Sequence, residues 1–237
     1  MFWIAKIIGF RQPIFAFMSV HILQINTALQ EASVSISAEG KTLGQKINPA
    51  QQEHAGFLQP AIAELCTDLN IKLADLQAIA VVNGPGSYTG LRVGLSAAKG
   101  ICYALNLPLI CINTLEWMAF GNLEHATDYI CPMIDARRME VFTALYDREM
   151  KVIMEPQPMI LEETSFIDHL ENKKIAYIGD GVEKWKTICH HHHAHYPKDH
   201  HDVLSLSILS YKFYLTKRFA DLAYSEPFYT KEFHTKK

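Results

Sequence analysis

The stretch VVNGPGSYTGLRVGLSAAKG, residues 81–100, places five glycines where a strand should pass into a helix. A glycine loop ahead of a helix can cradle a phosphate on its backbone N–H groups, so the first chemistry to consider is nucleotide binding. The spacing argues against it. A phosphate loop needs Lys and then Ser or Thr after its second glycine, whereas Leu91 and Arg92 follow Gly90. A dinucleotide fingerprint needs GxGxxG; Gly84, Gly86 and Gly90 run one residue too long, with Pro85 between the first two. Only weak anion binding at the helix start survives this test.

Other residue groups invite chemistry and fail for separate reasons. Asp135, Arg137, Arg138 and Glu140 in IDARRMEV have the composition of an acid–base cluster. Alternation along a strand would put Asp135 and Arg137 on one face and Arg138 and Glu140 on the other, so ion pairs around a cleft account for them without catalysis. The run CHHHHAHYPKDHH, residues 189–201, suggests a metal, but consecutive loop histidines impose no coordination geometry. It reads as a solvated loop that takes nickel or zinc adventitiously. His54 has Leu58, and no second ligand, one helical turn on; one imidazole does not hold a metal. Ser87 is followed by Tyr88 and Thr89, which breaks the G-x-S-x-G nucleophile elbow. The sequence therefore predicts no catalytic residue and no resident metal.

The elements that position these residues follow from hydrophobic periodicity. VHILQIN (20–26) and ASVSISA (32–38) read as strands, the second in strict alternation. Gly40-Lys41 makes a turn before a third strand or loop. AQQEHAGFLQPAIAELCTDL has the i, i+3, i+4, i+7 rhythm of an amphipathic helix over about 51–69, with a kink or break expected near Pro60. AIAVVN (78–83) lacks polar alternation, so it is a strand buried on both faces. A helix to about Leu105, strand LICIN (109–113) and a helix from Thr114 complete the series. DYICPMIDA, EVFTALYD and KVIMEP begin a second series of strands, LEETSFIDHL is a short helix or loop, KIAYIGDG a strand, and VLSLSILSYKFYLTKRFADL a long closing helix. Two such units predict two related α/β lobes.

Within the glycine helix, Gly90, Gly94 and Gly100 each cost about 1 kcal/mol relative to alanine. Gly90, Gly94, Ala97 and Ala98 form a small-residue stripe, which lets another backbone approach closely and gain dispersion contacts. The physics leaves two occupants open: the chain's own sheet, or another protein. Arg92, Ser96, Lys99 and Tyr103 form a polar, basic stripe beside it.

Composition sets the outer limits. The 237 residues are 49% hydrophobic with a net charge of −3, which excludes a disordered chain and a protein whose main task is gripping nucleic acid. Five cysteines without a CxxC read as reduced thiols in the cytoplasm, and no apolar run of 18 residues predicts a membrane span. Residues 1–17 are apolar but interrupted by Lys6 and Arg11. They read as an upstream extension, with the fold beginning at Met18.

Residues NGPGSYTGLRVGLSAAKGICYALNLPLICINTLEWMA, with PMIDARRMEVFTALYD and EPFYTKEF, resemble the bacterial TsaB family over roughly Met18 to Phe233. That family is the dimerization subunit of the tRNA threonylcarbamoyladenosine machinery. The resemblance implies a two-lobe, actin-like and ribonuclease-H-like (ASKHA) α/β fold. Its division would be a first lobe at 18–122, a second at 123–225 and a tail at 226–237. It implies a pseudo-enzyme whose paralogue TsaD carries the metal and transfers the threonylcarbamoyl group to the adenosine beside the anticodon. A TsaE-like ATPase would join through the complex, tRNA contact would be indirect, and the chain alone would form a homodimer. The implied partner interface uses the helices 51–69 and 88–105, with His54, Leu58, Gly90, Arg92, Gly94, Ala97 and Ala98. Asn83, Gly84, Pro85, Gly86, Ser87, Tyr88 and Thr89 form the family's loop, and Asp135, Arg137, Arg138 and Glu140 an inter-lobe motif. No intrinsic cofactor is implied; ATP or ADP would sit at the joint with the partner. Asn26 stands where the fold's phosphate-handling members, and many TsaB sequences, keep an Asp that holds Mg²⁺. The rivals on these residues are an ATP-dependent small-molecule kinase and a metallopeptidase-like protein; Asn26 opposes the first and Leu58 the second.

Overall fold

The computed structural model describes residues 19–49, 54–198 and 203–229. The expectations for residues 1–17, for the end of the histidine run and for the last residues of the tail lie outside these. Ten strands and six helices occupy the described residues. The first sheet holds β1 (His21–Asn26), β2 (Ala32–Ala38), β3 (Lys41–Asn48), β4 (Ala78–Gly84) and β5 (Leu109–Asn113). Their order is β3-β2-β1-β4-β5: three strands antiparallel in sequence, then two parallel to β1. The second sheet holds β6 (Tyr129–Asp135), β7 (Glu140–Asp147), β8 (Val152–Ile160), β9 (Ile175–Ile178) and β10 (Ala194–His195). Its order, β10-β9-β6-β7-β8, repeats the first with the same directions. This doubled unit is the two-lobe actin-like arrangement.

The uninterrupted apolar run of β4 requires cover on both faces of the first sheet. On one face α1 (His54–Leu69) and α2 (Tyr88–Leu105) bury Leu58, Ile62, Leu65, Leu95 and Ala98 against Leu23, Ile25, Val34 and Ile36. α1 runs through Pro60 as one helix, so of the kink or break expected there the break does not occur. On the other face α3 (Thr114–Gly121) and α6 (Val203–Leu215) set Trp117, Leu206, Leu209 and Phe213 against Ile22, Ala80 and Ile112. The second sheet carries only the short helices α4 (Ile167–Leu170) and α5 (Val182–Lys186) of its own.

Two expectations are corrected by α6. It is shorter than the closing helix read at 203–222, and it packs on the first sheet although the sequence order assigned it to the second lobe. The reason is packing: the Ile22 face needs a second helix, and the chain must return to supply one. The alternating serines of β2, Ser33, Ser35 and Ser37, are buried under α6. Gln24 resolves their polarity, donating to Ser37 Oγ at 2.6 Å and accepting from Ser35 Oγ at 2.9 Å. Trp117 Nε1 donates to Ser205 Oγ at 3.0 Å, so α6 seats on a satisfied polar seam. Arg218 then forks onto Glu116 of α3 at 2.7 and 3.0 Å.

Leu209→Ala tests this placement. It should cost about 2–5 kcal/mol, with faster amide exchange in β1 and β4 of the first sheet, measured by denaturation and hydrogen exchange. Destabilisation confined to the second sheet would contradict the packing.

Candidate partner interface

The turn after β1 explains the glycines. Thr27 and Ala28 pass directly over the start of α2. Ser87 N–H donates to the Ala28 carbonyl at 2.7 Å, and Thr27 Oγ1 donates to the Gly90 carbonyl at 2.7 Å. A Cβ on Gly86 would collide with the Ala28 carbonyl, one on Gly90 with the Thr27 carbonyl, and one on Gly94 with Thr27 Oγ1. Ser87 caps the helix, its Oγ accepting from Gly90 N–H at 3.3 Å. The Ser87 and Gly90 N–H groups at the helix start, which a phosphate would need, are therefore spent inside the fold. Asn26 is 5% exposed and its Oδ1 accepts from Ala28 N–H at 3.1 Å, so it shapes the turn and offers no carboxylate. Two N–H groups of the loop are thus engaged within the chain, and the end of β1 carries an amide in place of a carboxylate.

Gly90, Gly94 and Ala98 are buried in the chain itself, and Leu58 is 1% exposed. The expected partner surface on these residues is corrected: they belong to the core. A stripe at helical spacing identifies a face but not its neighbour, and here the neighbour is the β1 turn and sheet. Ala97 is half-buried, and His54 opens α1 with its side chain outside the description. The outward face of α2 lies one stripe further round, at Thr89, Ser96, Gly100 and Ala104. A Cβ on Gly100 meets open space. α1 presents Gly56, Pro60, Ala63 and Thr67 outward beside it, and Gly56 also faces open space. Two neighbouring helices thus expose small residues.

The basic stripe has an intramolecular partner that no local signal announced. The Arg92 guanidinium lies 3.9 Å over the Tyr88 ring and its Nε donates to Tyr229 Oη at 2.8 Å. Lys99 donates to the carbonyls of Ala223 and Ser225 at 3.2 and 3.0 Å. Asn83 accepts from Phe228 N–H at 2.7 Å. Gly84, at φ +120°, has the Phe228 carbonyl 2.6 Å from where a Cβ would stand; its backbone and its missing side chain both serve this contact. Pro85 is buried.

Between the lobes, Gly86, Ser87 and Tyr88 face Asp135, Ala136 and Arg137 across a cleft of about 470 Å³. The structure thus brings the loop and the inter-lobe motif to one cleft, away from the outward helix faces. The motif is a hairpin turn, which corrects the strand alternation expected of it: Arg137 and Arg138 adopt φ of 71° and 52° between β6 and β7. Asp135 Oδ1 pairs with Lys184 at 2.7 Å, and Lys184 also reaches the Glu140 carbonyl at 3.2 Å. Partial burial opposes the charge on Asp135, but the Lys184 ammonium and the Arg137 N–H hold its carboxyl below the usual range. Asp135 N–H donates to Asp180 Oδ1 at 2.8 Å. These contacts tie the turn together.

Burial pushes the Cys102 and Cys131 thiols up to about 12, so at neutral pH neither is a thiolate nucleophile. In the histidine run, His193 Nδ1 lies 2.7 Å from the Leu170 carbonyl and His191 Nδ1 accepts from His193 N–H at 3.2 Å. Among the described residues no three His, Cys, Asp or Glu side chains converge on a metal position.

The family model for "TsaD: tRNA N6-adenosine threonylcarbamoyltransferase" matches residues 41–232. The tRNA threonylcarbamoyladenosine biosynthesis protein TsaB of Bacillus subtilis is 32% identical over 170 residues, 70% of this chain and 74% of that protein. TsaB of Escherichia coli is 34% identical over 131 residues, 55% of this chain and 56% of its own length. A solved Pseudomonas aeruginosa protein, described as similar to peptidase YEAZ, superposes with a TM-score of 0.76 at 21% identity. It covers 90% of this chain and 100% of its own; at that identity the likeness concerns the fold.

Two glycines on one helix give opposed expectations. Gly94→Leu forces a side chain into Thr27 and should lower stability by about 1–3 kcal/mol. Gly100→Ala gains helix propensity in open space and should raise it by up to about 1 kcal/mol. Denaturant unfolding of both variants checks the pair; equal shifts would contradict the assignment of faces.

Proposed function

Because the chain belongs to the TsaB family of tRNA threonylcarbamoyladenosine biosynthesis proteins, we propose that it is a non-catalytic subunit pairing with a TsaD-like catalytic partner. The observation that carries this reading is the adjacent outward faces of α1 and α2, paved with Gly56, Pro60, Ala63, Thr89, Ser96 and Gly100. Small residues let partner helices approach to backbone distance, where dispersion contacts are densest. Two such faces side by side suit a pair of partner helices, and α1 and α2 are the helices the family resemblance points to.

The chemistry supports a supporting role. The end of β1 supplies an amide, Asn26, where metal-assisted phosphoryl transfer needs a carboxylate. Two of the loop's N–H groups, those of Ser87 and Gly90, are already engaged within the chain. On this reading an adenine nucleotide enters only at the joint with the partner, the threonylcarbamoyl transfer occurs on the TsaD-like subunit, and tRNA meets the complex chiefly through that subunit. A TsaE-like ATPase joins the assembled complex. Two copies of this chain use the same outward faces when the partner is absent. The work is cytoplasmic, where tRNA is modified; no described helix is long and apolar enough to cross a membrane.

Gly100→Trp tests the pairing directly. The fold should melt as the parent does, because position 100 faces open space. Affinity for the TsaD-like subunit should fall roughly a hundredfold, about 3 kcal/mol. Wild-type affinity in the folded variant would remove α2 from the interface. The isolated chain should also show no ATP turnover above background; turnover abolished by Asn26→Ala would end the non-catalytic reading.

A further inference from the structure

After α6 the chain returns along the outer edge of β5 and then along α2. Ala220 pairs with Leu109 in an isolated antiparallel bridge, its N–H donating to the Leu109 carbonyl at 2.8 Å. Leu222 joins the core beside Cys111 and Leu107. Asp221 Oδ1 accepts from Ala223 and Tyr224 N–H at 2.8 and 3.0 Å, closing a turn. Lys99 then takes the Ala223 and Ser225 carbonyls, Asn83 the Phe228 N–H, and Arg92 the Tyr229 hydroxyl. Residues 219–229 are thus a strap tied down by α2.

The strap lies on the Tyr88–Arg92–Lys99 side of α2, next to the outward stripe at Ser96 and Gly100. It places Tyr224, 85% exposed, between the two carbonyls that Lys99 holds. Tyr103, 84% exposed, stands one helical turn beyond Lys99 on the same side. Exposed tyrosines beside a floor of small residues have the composition of an interface anchor, and neither ring is needed by the fold.

We propose that the strap forms one wall of the pairing face, held there by Lys99 and Arg92 as positioning residues, with Tyr103 and Tyr224 as the anchors that meet the partner helix. This rests on the pairing reading above. The basic stripe of α2 then acts through the chain's own tail, and its charges are not spent on the partner.

The full chain and its TsaD-like subunit provide the test. Lys99→Met keeps the aliphatic stem and removes both carbonyl bonds; Lys99→Arg keeps the cation. Exchange of the Phe228 amide in the isolated chain reports the strap, and affinity reports the face. Lys99→Met should speed that exchange and weaken pairing, each by about tenfold or more, and Lys99→Arg should recover both. Tyr103→Ala and Tyr224→Ala should weaken pairing while Phe228 exchange stays as in the parent. If Lys99→Met frees the strap yet pairs at parental affinity, the strap is a structural tie only and the inference is overturned. Parental pairing by both tyrosine variants overturns the anchors. If the parent chain does not bind the TsaD-like subunit, the pairing reading fails first and the inference falls with it.

Discussion

The contact on which the rest depends is the turn Asn26–Ala28 pressed against the first turns of α2. Carbonyl and hydroxyl groups of that turn occupy the volume where Gly86, Gly90 and Gly94 would carry Cβ atoms, and two hydrogen bonds of 2.7 Å lock the approach. Once α2 is seated this deeply, Leu95 and Ala98 reach the sheet, the outward stripe is set by helical geometry, and Arg92 and Lys99 face the returning tail. The same contact takes the Ser87 N–H, while the Ser87 hydroxyl takes that of Gly90. One backbone-on-backbone contact thus gives the helix its position.

The chain closes on itself at both levels. Its two sheets repeat one strand order, yet the last helix and the strap leave the second lobe and complete the first. α6 buries the face opposite α1 and α2, and the strap covers the edge of β5. An unpaired edge is a template for unwanted strand addition; β5 is protected by the bridge at Ala220, and β8 carries Pro156 and Pro158, which cannot extend a ladder. The described C-terminal residues are therefore part of the first lobe's architecture.

Much of the fold was legible in the sequence. The apolar run AIAVVN announced a strand buried on both faces, and the helices read at about 51–69 and 88–105 match α1 and α2 over the described residues. What failed was the assignment of neighbours. Periodicity finds a face but not what packs on it, so Gly94 was read toward a partner when Thr27 lies against it. Alternation in β2 likewise does not announce that its serine face is dry, covered by α6 and satisfied by Gln24. The hairpin at Arg137 and Arg138 was hidden because neither residue is a usual left-handed turn former. The strap could not be read at all: Arg92 and Tyr229 are 137 residues apart, and only the fold brings them together.

Family membership supports the proposed reading, a subunit that pairs through α1 and α2. Hydrogen-exchange mass spectrometry of the chain, free and bound to a TsaD-like subunit, addresses this most directly. The account predicts added protection in peptides from α1 and α2, and unchanged exchange in the hairpin at residues 135–140 inside the cleft. Protection of the cleft hairpin, with α1 and α2 exchanging as in the free chain, would contradict it.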